Sequence, residues 1–145
     1  LAQFAPSFSL LDAMHVAGII LRSDGSGAYG GGTYDILGPT GTSLGYKTVA
    51  AKAGDVLELF GVGFGPTSPV VPAGAAYAGA AQTTSAVQLT INNIAVTPSF
   101  SGITSAGLYQ LNVGPLPPGL GTGDVSLQAM VGGAQTQAKV VISLQ

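Results

Sequence analysis

The stretch Gly54-Asp55-Val56-Leu57-Glu58-Leu59-Phe60-Gly61-Val62-Gly63-Phe64-Gly65 carries the strongest indication of the fold. Between glycines that mark turns, Leu57 and Leu59 alternate with other side chains, and a period of two is typical of a half-buried β-strand. We therefore predict a strand from Asp55 to Val62, with Leu57 and Leu59 directed into a core.

Further segments along the chain share this alternation and predict four more strands. They are Val87–Ile91, Tyr109–Val113, Val125–Val131 and Ala138–Leu144. Gly132-Gly133 separates the last two and predicts a tight hairpin, because glycine adopts positive φ without strain. Residues 66–86 are rich in Pro, Ala and Gly, which predicts a long surface connection. We interpret residues 51–145 as an all-β, immunoglobulin-like sandwich of two sheets.

Residues 1–50 predict additional β structure. His15 to Arg22 is a predicted strand that ends in a turn at Asp24-Gly25, and Tyr34–Leu37 and Tyr46–Ala50 are predicted short strands. We interpret this region as an N-terminal β extension, which either packs on its own sandwich or is exchanged with the sandwich of another copy.

Composition excludes several classes of function. The 145 residues are 46% hydrophobic and only 7% charged, with a net charge of −2, one His and no Cys. Without Cys there is no disulfide, thiolate nucleophile or cysteine-ligated metal, so no cofactor is expected. Four basic residues are too few for a nucleic-acid surface. Weak self-repulsion instead permits copies to approach closely.

No run of apolar residues is long enough to predict a membrane span. The chain begins at Leu1 without a Met or a signal peptide, which we interpret as a mature product or an excised fragment.

The Gly54–Gly65 stretch resembles the opening of IPT/TIG-type immunoglobulin-like domains, in which an alternating strand leads into a Gly-x-Gly-Phe-Gly loop. A closer resemblance is to the Solibacter-type uncharacterised C-terminal domain family of bacterial surface proteins. The pieces that carry it are Ala5-Pro6-Ser7-Phe8, His15-Val16-Ala17, Asp24-Gly25-Ser26, Ala53-Gly54-Asp55, Gly63-Phe64-Gly65-Pro66-Thr67-Ser68-Pro69, Gly107-Leu108-Tyr109-Gln110-Leu111-Asn112-Val113 and Gly132-Gly133. Residues 28–47 are longer than the family pattern. The resemblance implies an exported, non-catalytic, immunoglobulin-like module.

Candidate catalytic groups are sparse, and we predict that the chain is not an enzyme. His15 opens an apolar strand and no Gly-x-Ser-x-Gly elbow is present, which favours a structural or surface histidine. Asp55 and Glu58 lie three apart on one predicted strand and so point to opposite faces, unlike the paired carboxylates of a glycosidase.

Metal, phosphate and crosslinking sites are also poorly supported by the sequence. Ser23–Gly27 lacks the repeated acids of a calcium loop and favours a hairpin turn. The glycines of residues 61–65 have no following Lys or helix, which favours close backbone packing over phosphate binding. Isopeptide crosslinks need a paired Lys and Asn or Asp, and no motif pairs Lys47, Lys52 or Lys139 with such a group.

Two functions stay open. The first is an extracellular or cell-surface structural module that assembles into a surface structure or filament through its strand edges. Its candidate contacts between copies are Phe4, Phe8, Phe60, Val62 and Leu108. A competing interpretation is that residues 1–50 fold over the face that carries Phe60 and Val62.

The alternative is a monomeric adhesion or carbohydrate-binding module, whose partner is a polysaccharide or another surface protein. Tyrosine rings stack on sugars, and Tyr29, Tyr34 and Tyr46 are clustered in the sequence as candidate contacts with a polysaccharide.

Overall fold

The computed structural model describes residues 3–27, 32–70, 79–105 and 108–145. These residues form thirteen β-strands and no helix. The strands are β1 (Ser7–Phe8), β2 (Gly18–Leu21), β3 (Tyr34–Ile36), β4 (Leu57–Val62), β5 (Thr67–Ser68), β6 (Ala81–Thr83), β7 (Gln88–Ile91), β8 (Ile94–Val96), β9 (Phe100–Ser105), β10 (Leu108–Val113), β11 (Gly123–Val131), β12 (Ala134–Gln135) and β13 (Val141–Leu144).

The strands form two antiparallel sheets that pack face to face. The large sheet has the order β3-β2-β4-β10-β9-β6-β5, with β1 also paired to β4. The small sheet has the order β12-β11-β7-β8, with β13 also paired to β11. The predicted all-β sandwich is therefore confirmed. The predicted turn at Gly132-Gly133 is present, but it joins β11 to β12 and not to the predicted strand Ala138–Leu144.

The core lies between the two sheets and is built from the alternating positions that the sequence indicates. Leu57 and Leu59 of β4 are fully buried, and so is Leu111 of the neighbouring β10. They meet Leu89 and Leu127 from the small sheet. Gln110, next to Leu111, points to the opposite face and is half-buried, which agrees with the predicted register.

Residues 1–50 widen the large sheet rather than cover it. β1 and β2 pair in succession with the same edge of β4: Phe8 lies opposite Gly61, and Ile20 opposite Leu57. β3 then adds beyond β2. Among the described residues, the interpretation that residues 1–50 fold over the outer face of β4 is therefore wrong, because their backbone hydrogen bonds extend the sheet sideways.

The N-terminal segment lies on its own chain, in the glycine loop after β4. The amide of Ala5 donates to the carbonyl of Gly63 at 3.0 Å. Phe8 is 3% exposed, and its ring packs edge-on against Phe64 with centroids 6.0 Å apart. A Cβ at Gly63 would overlap the carbonyl oxygen of Ala5, so glycine is required for this approach. Close backbone packing is thus the role of these glycines, as the sequence predicts.

Three predicted segments differ from the structure. Residues 66–86 are not only a surface connection, because β5 and β6 pair with each other and β6 pairs with β9; residues 71–78 lie outside the described part. The predicted strand Ala138–Leu144 begins only at Val141, since Lys139 adopts φ +67° and turns the chain. Tyr46–Ala50 forms isolated bridges through Thr48 and Val49 instead of a strand.

The fit of the N-terminal segment to the glycine loop can be tested with two matched glycines. Gly63 and Gly133 have similar positive φ, 76° and 80°, but a Cβ at Gly133 meets nothing within 4 Å. Both Gly→Ala substitutions incur left-handed strain of roughly 1–2 kcal/mol. We expect Gly63→Ala to lower the free energy of unfolding by a further ~1–3 kcal/mol because of overpacking against Ala5. Urea denaturation measures both, and equal losses would contradict the docked segment.

Candidate functional site

The outer face of the large sheet is apolar on β4, β2 and β3, whereas β10, β9 and β6 turn mainly polar side chains such as Gln110, Asn112 and Gln82 outward. β4 turns Phe60 and Val62 outward, opposite to the direction of Leu57 and Leu59. Neighbouring strands place further apolar side chains on this face, because residues paired across a ladder share one side. Its apolar members, which we call the outer apolar face, are Ile19, Leu21, Tyr34, Ile36, Val56, Phe60, Val62 and Phe100.

Several members of this face are open to solvent. Leu21 is 40% exposed, Tyr34 is 44% exposed and Val62 is 45% exposed. Leu21 and Tyr34 lie directly opposite one another on β2 and β3. Phe60 is half-buried beside Gln110 of β10. Apolar side chains that are contiguous and exposed on a sheet mark a contact surface more often than scattered ones do.

Glu58 is the acidic side chain among these apolar positions. It lies directly opposite Ile19 of β2 on one side and directly opposite Asn112 of β10 on the other. Burial raises the pKa of the Glu58 carboxyl above its usual value. The charge that Glu58 gives to this face is therefore one that partial burial disfavours.

The small sheet has a different outer face, which is mainly polar and carries a carboxylate, Asp124, near one end of β11. Its outward positions include Gln88, Thr90, Asp124, Ser126, Gln128, Met130 and Gln135. Gln88, Gln128 and Gln135 are exposed. This is the alternation expected of an antiparallel sheet with one face in the core and one in water. The two outer faces of the same sandwich therefore differ in chemistry.

The other predicted contacts between copies lie in less open positions. Phe8 belongs to the core of its own chain, and Phe4 is partly buried against that core. Leu108 begins β10 and is half-buried, at a point where the register with β9 shifts. Of the five residues predicted as assembly contacts, Phe60 and Val62 are the two that the structure brings together on an open face.

The tyrosines predicted to contact a sugar are not brought together by any described ring contact. Tyr34 is exposed on the outer apolar face, whereas Tyr46 is half-buried in the loop before Thr48. Tyr29 lies outside the described residues. The aromatic ring pairs within the described chain instead join Phe64 to Phe8 and to Tyr109.

His15 lies in a polar cluster that sequence reasoning did not find. Its Nδ1 is 2.8 Å from Oδ2 of Asp12, and its Nε2 is 2.8 Å from Oδ2 of Asp124. The Ser143 hydroxyl donates to Oδ1 of Asp124 at 2.7 Å. A hydrolytic triad needs the histidine bonded to the nucleophile, but here both ring nitrogens face carboxylates and Ser143 bonds an acid. The cluster is thus arranged as an ion-pair network.

A second buried network closes one end of the sandwich. Arg22 follows β2, and its Nε donates to Oδ2 of Asp35 at 2.8 Å while its Nη1 donates to Oδ1 of Asp55 at 3.2 Å. Both carboxylates are less than a tenth exposed. The amide of Lys52 donates to the other oxygen of Asp55. Every group in this network is engaged within the chain, which is typical of a structural ion pair.

Two hollows of the described surface differ in their linings. One of about 350 Å³ is lined by Ala51–Ala53, Leu116–Thr122, Leu144 and Gln145, and Lys52 is its charged residue. A second, of about 400 Å³, is lined by polar groups that include Arg22 and Asp35 of the network above. Among the described residues, no three His, Cys, Asp or Glu side chains are arranged to hold a metal ion.

Two further features concern crosslinks and membranes. Lys47, Lys52 and Lys139 are all exposed, which is unlike the buried lysine of an isopeptide bond. The part of the chain that is described contains no helix suited in length and apolarity to crossing a bilayer.

The Arg22 network gives a prediction about stability. Arg22→Met leaves the Asp35 and Asp55 carboxylates buried without their cation, and we expect the free energy of unfolding to fall by about 3 kcal/mol. Lys52→Met is the control, because Lys52 is exposed, and its cost should stay within about 0.5 kcal/mol. Adding Asp35→Asn and Asp55→Asn to Arg22→Met should recover part of the loss. Chemical denaturation measures the free energy of unfolding of the unmodified protein and of the three variants. Equal losses in Arg22→Met and Lys52→Met would refute a structural ion pair.

Comparison with protein-family models, with curated proteins and with solved structures finds no match to this chain. The chain's own surfaces therefore carry the functional inference, and the outer apolar face and the His15 cluster are the most distinctive of them.

Proposed function

We propose that this chain is a non-catalytic structural module of an extracellular or cell-surface assembly, in which copies pack through the outer apolar face. The observation that carries the proposal is the contrast between the two outer faces of one sandwich. The small sheet presents mostly glutamines and hydroxyl side chains to water, whereas β2, β3 and β4 of the large sheet present aromatic and branched aliphatic side chains. These three strands have the composition of a covered surface.

The electrostatics of the chain favour a second copy as the partner. The repulsion between identical subunits grows with the square of their net charge, which here is −2 over 145 residues. On the outer apolar face, Glu58 is the acidic group, and burial raises its pKa. Two such faces that meet therefore bring together one carboxyl from each copy, whose charged form burial disfavours.

The sheet edges are less suited to this contact than the face. β8 is an edge strand of three residues and is soon followed by Pro98, a combination that discourages strand addition. β3 is an edge strand of the large sheet, and the carbonyl of its Ile36 already accepts a hydrogen bond from the amide of Val49. β1 lies in its own sheet, opposite Gly61 and Val62 of β4. At β8, β3 and β1, strand addition by a second copy is therefore hindered.

The geometry of a face-to-face contact limits what it builds. A face that packs against its own copy forms an isologous contact, which closes as a pair. A filament therefore needs a second, different contact in addition to the outer apolar face.

The exported location is supported by the resemblance to bacterial surface modules in Gly63–Pro69 and Gly107–Val113. The absence of a nucleophile bonded to the His15 ring supports a non-catalytic role for the described residues.

The alternative function, a monomeric adhesion or carbohydrate-binding module, is favoured by one observation. Tyr34 is 44% exposed and lies beside Leu21, which together make an apolar platform on which a sugar ring can stack. The two functions use the same surface, so the oligomeric state separates them.

The assembly proposal predicts that charge on one face, and not on the other, disrupts association. Leu21→Lys with Val62→Lys adds two charges to exposed positions of the outer apolar face. Gln88→Lys with Gln128→Lys adds the same two charges to the small sheet and serves as the control. In sedimentation and light scattering, we expect the first double variant to be monomeric and the control to associate like the unmodified protein.

Glu58→Gln should strengthen association, since it removes the charge that an interface must desolvate.

Two results would overturn this proposal. One is an unmodified protein that remains monomeric at high concentration, which would favour the alternative function. The other is an equal loss of association in the control, which would place the contact elsewhere.

A further inference from the structure

Loop 9–17 leaves the large sheet between β1 and β2 and returns to it. The loop is closed at its base by the amide of Ala17, which donates to the carbonyl of Ser9 at 2.7 Å. Within it, the amide of Leu11 donates to the carbonyl of His15 at 2.8 Å. The strands on either side are anchored in the core by Phe8 and Ile20, and within the loop Val16 is buried as well.

The tip of loop 9–17 contacts the other sheet. The amide of Val16 donates to the carbonyl of Val141 in β13 at 3.1 Å, and the amide of Val141 donates to the carbonyl of Met14 at 2.9 Å. These two bonds form a short parallel bridge between His15 and Val141. A loop that belongs to the large sheet is thereby held on the edge of the small sheet.

The side chain of His15 reinforces this contact, and it does so in one protonation state. Its ring lies between Oδ2 of Asp12, on the same loop, and Oδ2 of Asp124, on β11, at 2.8 Å from each. A neutral imidazole donates from one nitrogen only, so the lone pair of the other ring nitrogen would face a carboxylate. Only the protonated ring satisfies both acids.

The remaining acceptors of the cluster are already engaged. Oδ1 of Asp12 accepts from the amides of Met14 and His15, and Oδ1 of Asp124 accepts from the Ser143 hydroxyl of β13. Asp12 and Asp124 are the charged groups that act on His15. With both carboxylates held ionised by these donors, the proton on His15 is the one that the cluster releases near neutral pH.

We propose that Asp12, His15 and Asp124 form a pH-operated latch, which holds loop 9–17 on β13 while His15 is protonated and loosens it when His15 loses its proton. The latch regulates the joining of the two sheets and is independent of the proposed assembly through the outer apolar face.

The direction of the pH dependence follows from the three groups. Burial opposes the charge on His15, but the hydrogen bonds to Asp12 and Asp124 outweigh it and raise the pKa of His15. Its contribution is therefore complete below its ordinary pKa of about 6.5 and is lost as pH rises through the raised value. Backbone hydrogen bonds from His15 and Met14 lower the pKa of Asp12 to about 2. The pKa of Asp124 is lowered because its bonds to Ser143 and His15 outweigh the effect of burial.

For the two acids the sign is opposite. Their contribution is complete above the ordinary carboxyl pKa and is lost as pH falls toward the lowered values. The latch is thus closed from about pH 4 to about pH 6.5 and loosens at higher pH.

The test is a nuclear magnetic resonance titration combined with amide exchange. His15 is the single histidine of the chain, so its ring signal needs no further assignment. We expect its pKa to lie above 6.5 and to fall in Asp124→Asn, which removes one anion. Protection of the Val16 and Val141 amides, corrected for intrinsic exchange rates, should drop between pH 5 and a pH above the raised pKa. The drop should be about tenfold for each unit by which the pKa is raised.

His15→Gln separates the latch from general pH effects. In this variant, protection of the Val16 and Val141 amides should no longer change between the two pH values, while the amide of Leu111 in the core serves as the reference in both proteins. The proposal would be overturned by a His15 pKa at or below 6.5, or by amide protection at Val16 and Val141 that stays constant while His15 titrates. Because the titration is made on the unmodified protein, the proposal remains falsifiable if a variant does not fold.

Discussion

The packing of residues 4–8 into the glycine loop after β4 is the contact on which the arrangement of the large sheet depends. Phe8 lies against Phe64, and Phe64 in turn lies against Tyr109 of β10, with centroids 5.8 Å apart. The Tyr109 hydroxyl donates to the carbonyl of Gly65 in the same loop. This aromatic row connects the start of the chain to the centre of the sheet. With β1 fixed there, β2 can continue along the same edge of β4, and the loop between them is directed onto β13.

β4 therefore holds a central position with two different requirements on its two faces. Leu57 and Leu59 face the small sheet and are fully buried. The opposite side carries Phe60 and Val62, although it lies on the outside of the sandwich. Since the N-terminal strands extend the sheet and do not cover it, they enlarge the outer apolar face with Ile19 and Leu21 instead of hiding it. The topology of residues 1–50 thus determines how much apolar surface remains open.

The sequence predicted those features that depend on local pattern. The alternation in Val125–Val131 and the glycine pair after it were enough to place β11 and its hairpin, and Leu111 was assigned correctly to the core. Sequence reasoning missed β5 and β6 because two- and three-residue strands such as Thr67–Ser68 carry no readable period. β5 pairs with β6, and β6 pairs with β9, about twenty residues further along the chain.

The candidate sites were predictable to different degrees for a related reason. The outward apolar side chains of β4 were visible in the alternation itself, so Phe60 and Val62 were named in advance. Their continuation onto β2 and β3 depends on long-range pairing, which one sequence without relatives does not reveal. The His15 cluster joins residues that are 109 positions apart, and a lone histidine before an apolar strand gave no indication of Asp124.

The ionisable groups of the two surfaces respond to pH in the same direction. Glu58 lies within the outer apolar face, and its neutral form, which burial favours, is the form that an apolar contact accepts. His15 lies on the edge of the small sheet, and its charged form is the one that holds loop 9–17 in place. Acidification therefore makes the outer apolar face easier to cover. It also keeps loop 9–17 latched onto β13 until the pH falls to the range in which Asp12 and Asp124 take up protons. Because the groups lie on different sheets, neither titration requires the other, and mild acid favours a closed sandwich and a contact-ready face through separate physical causes.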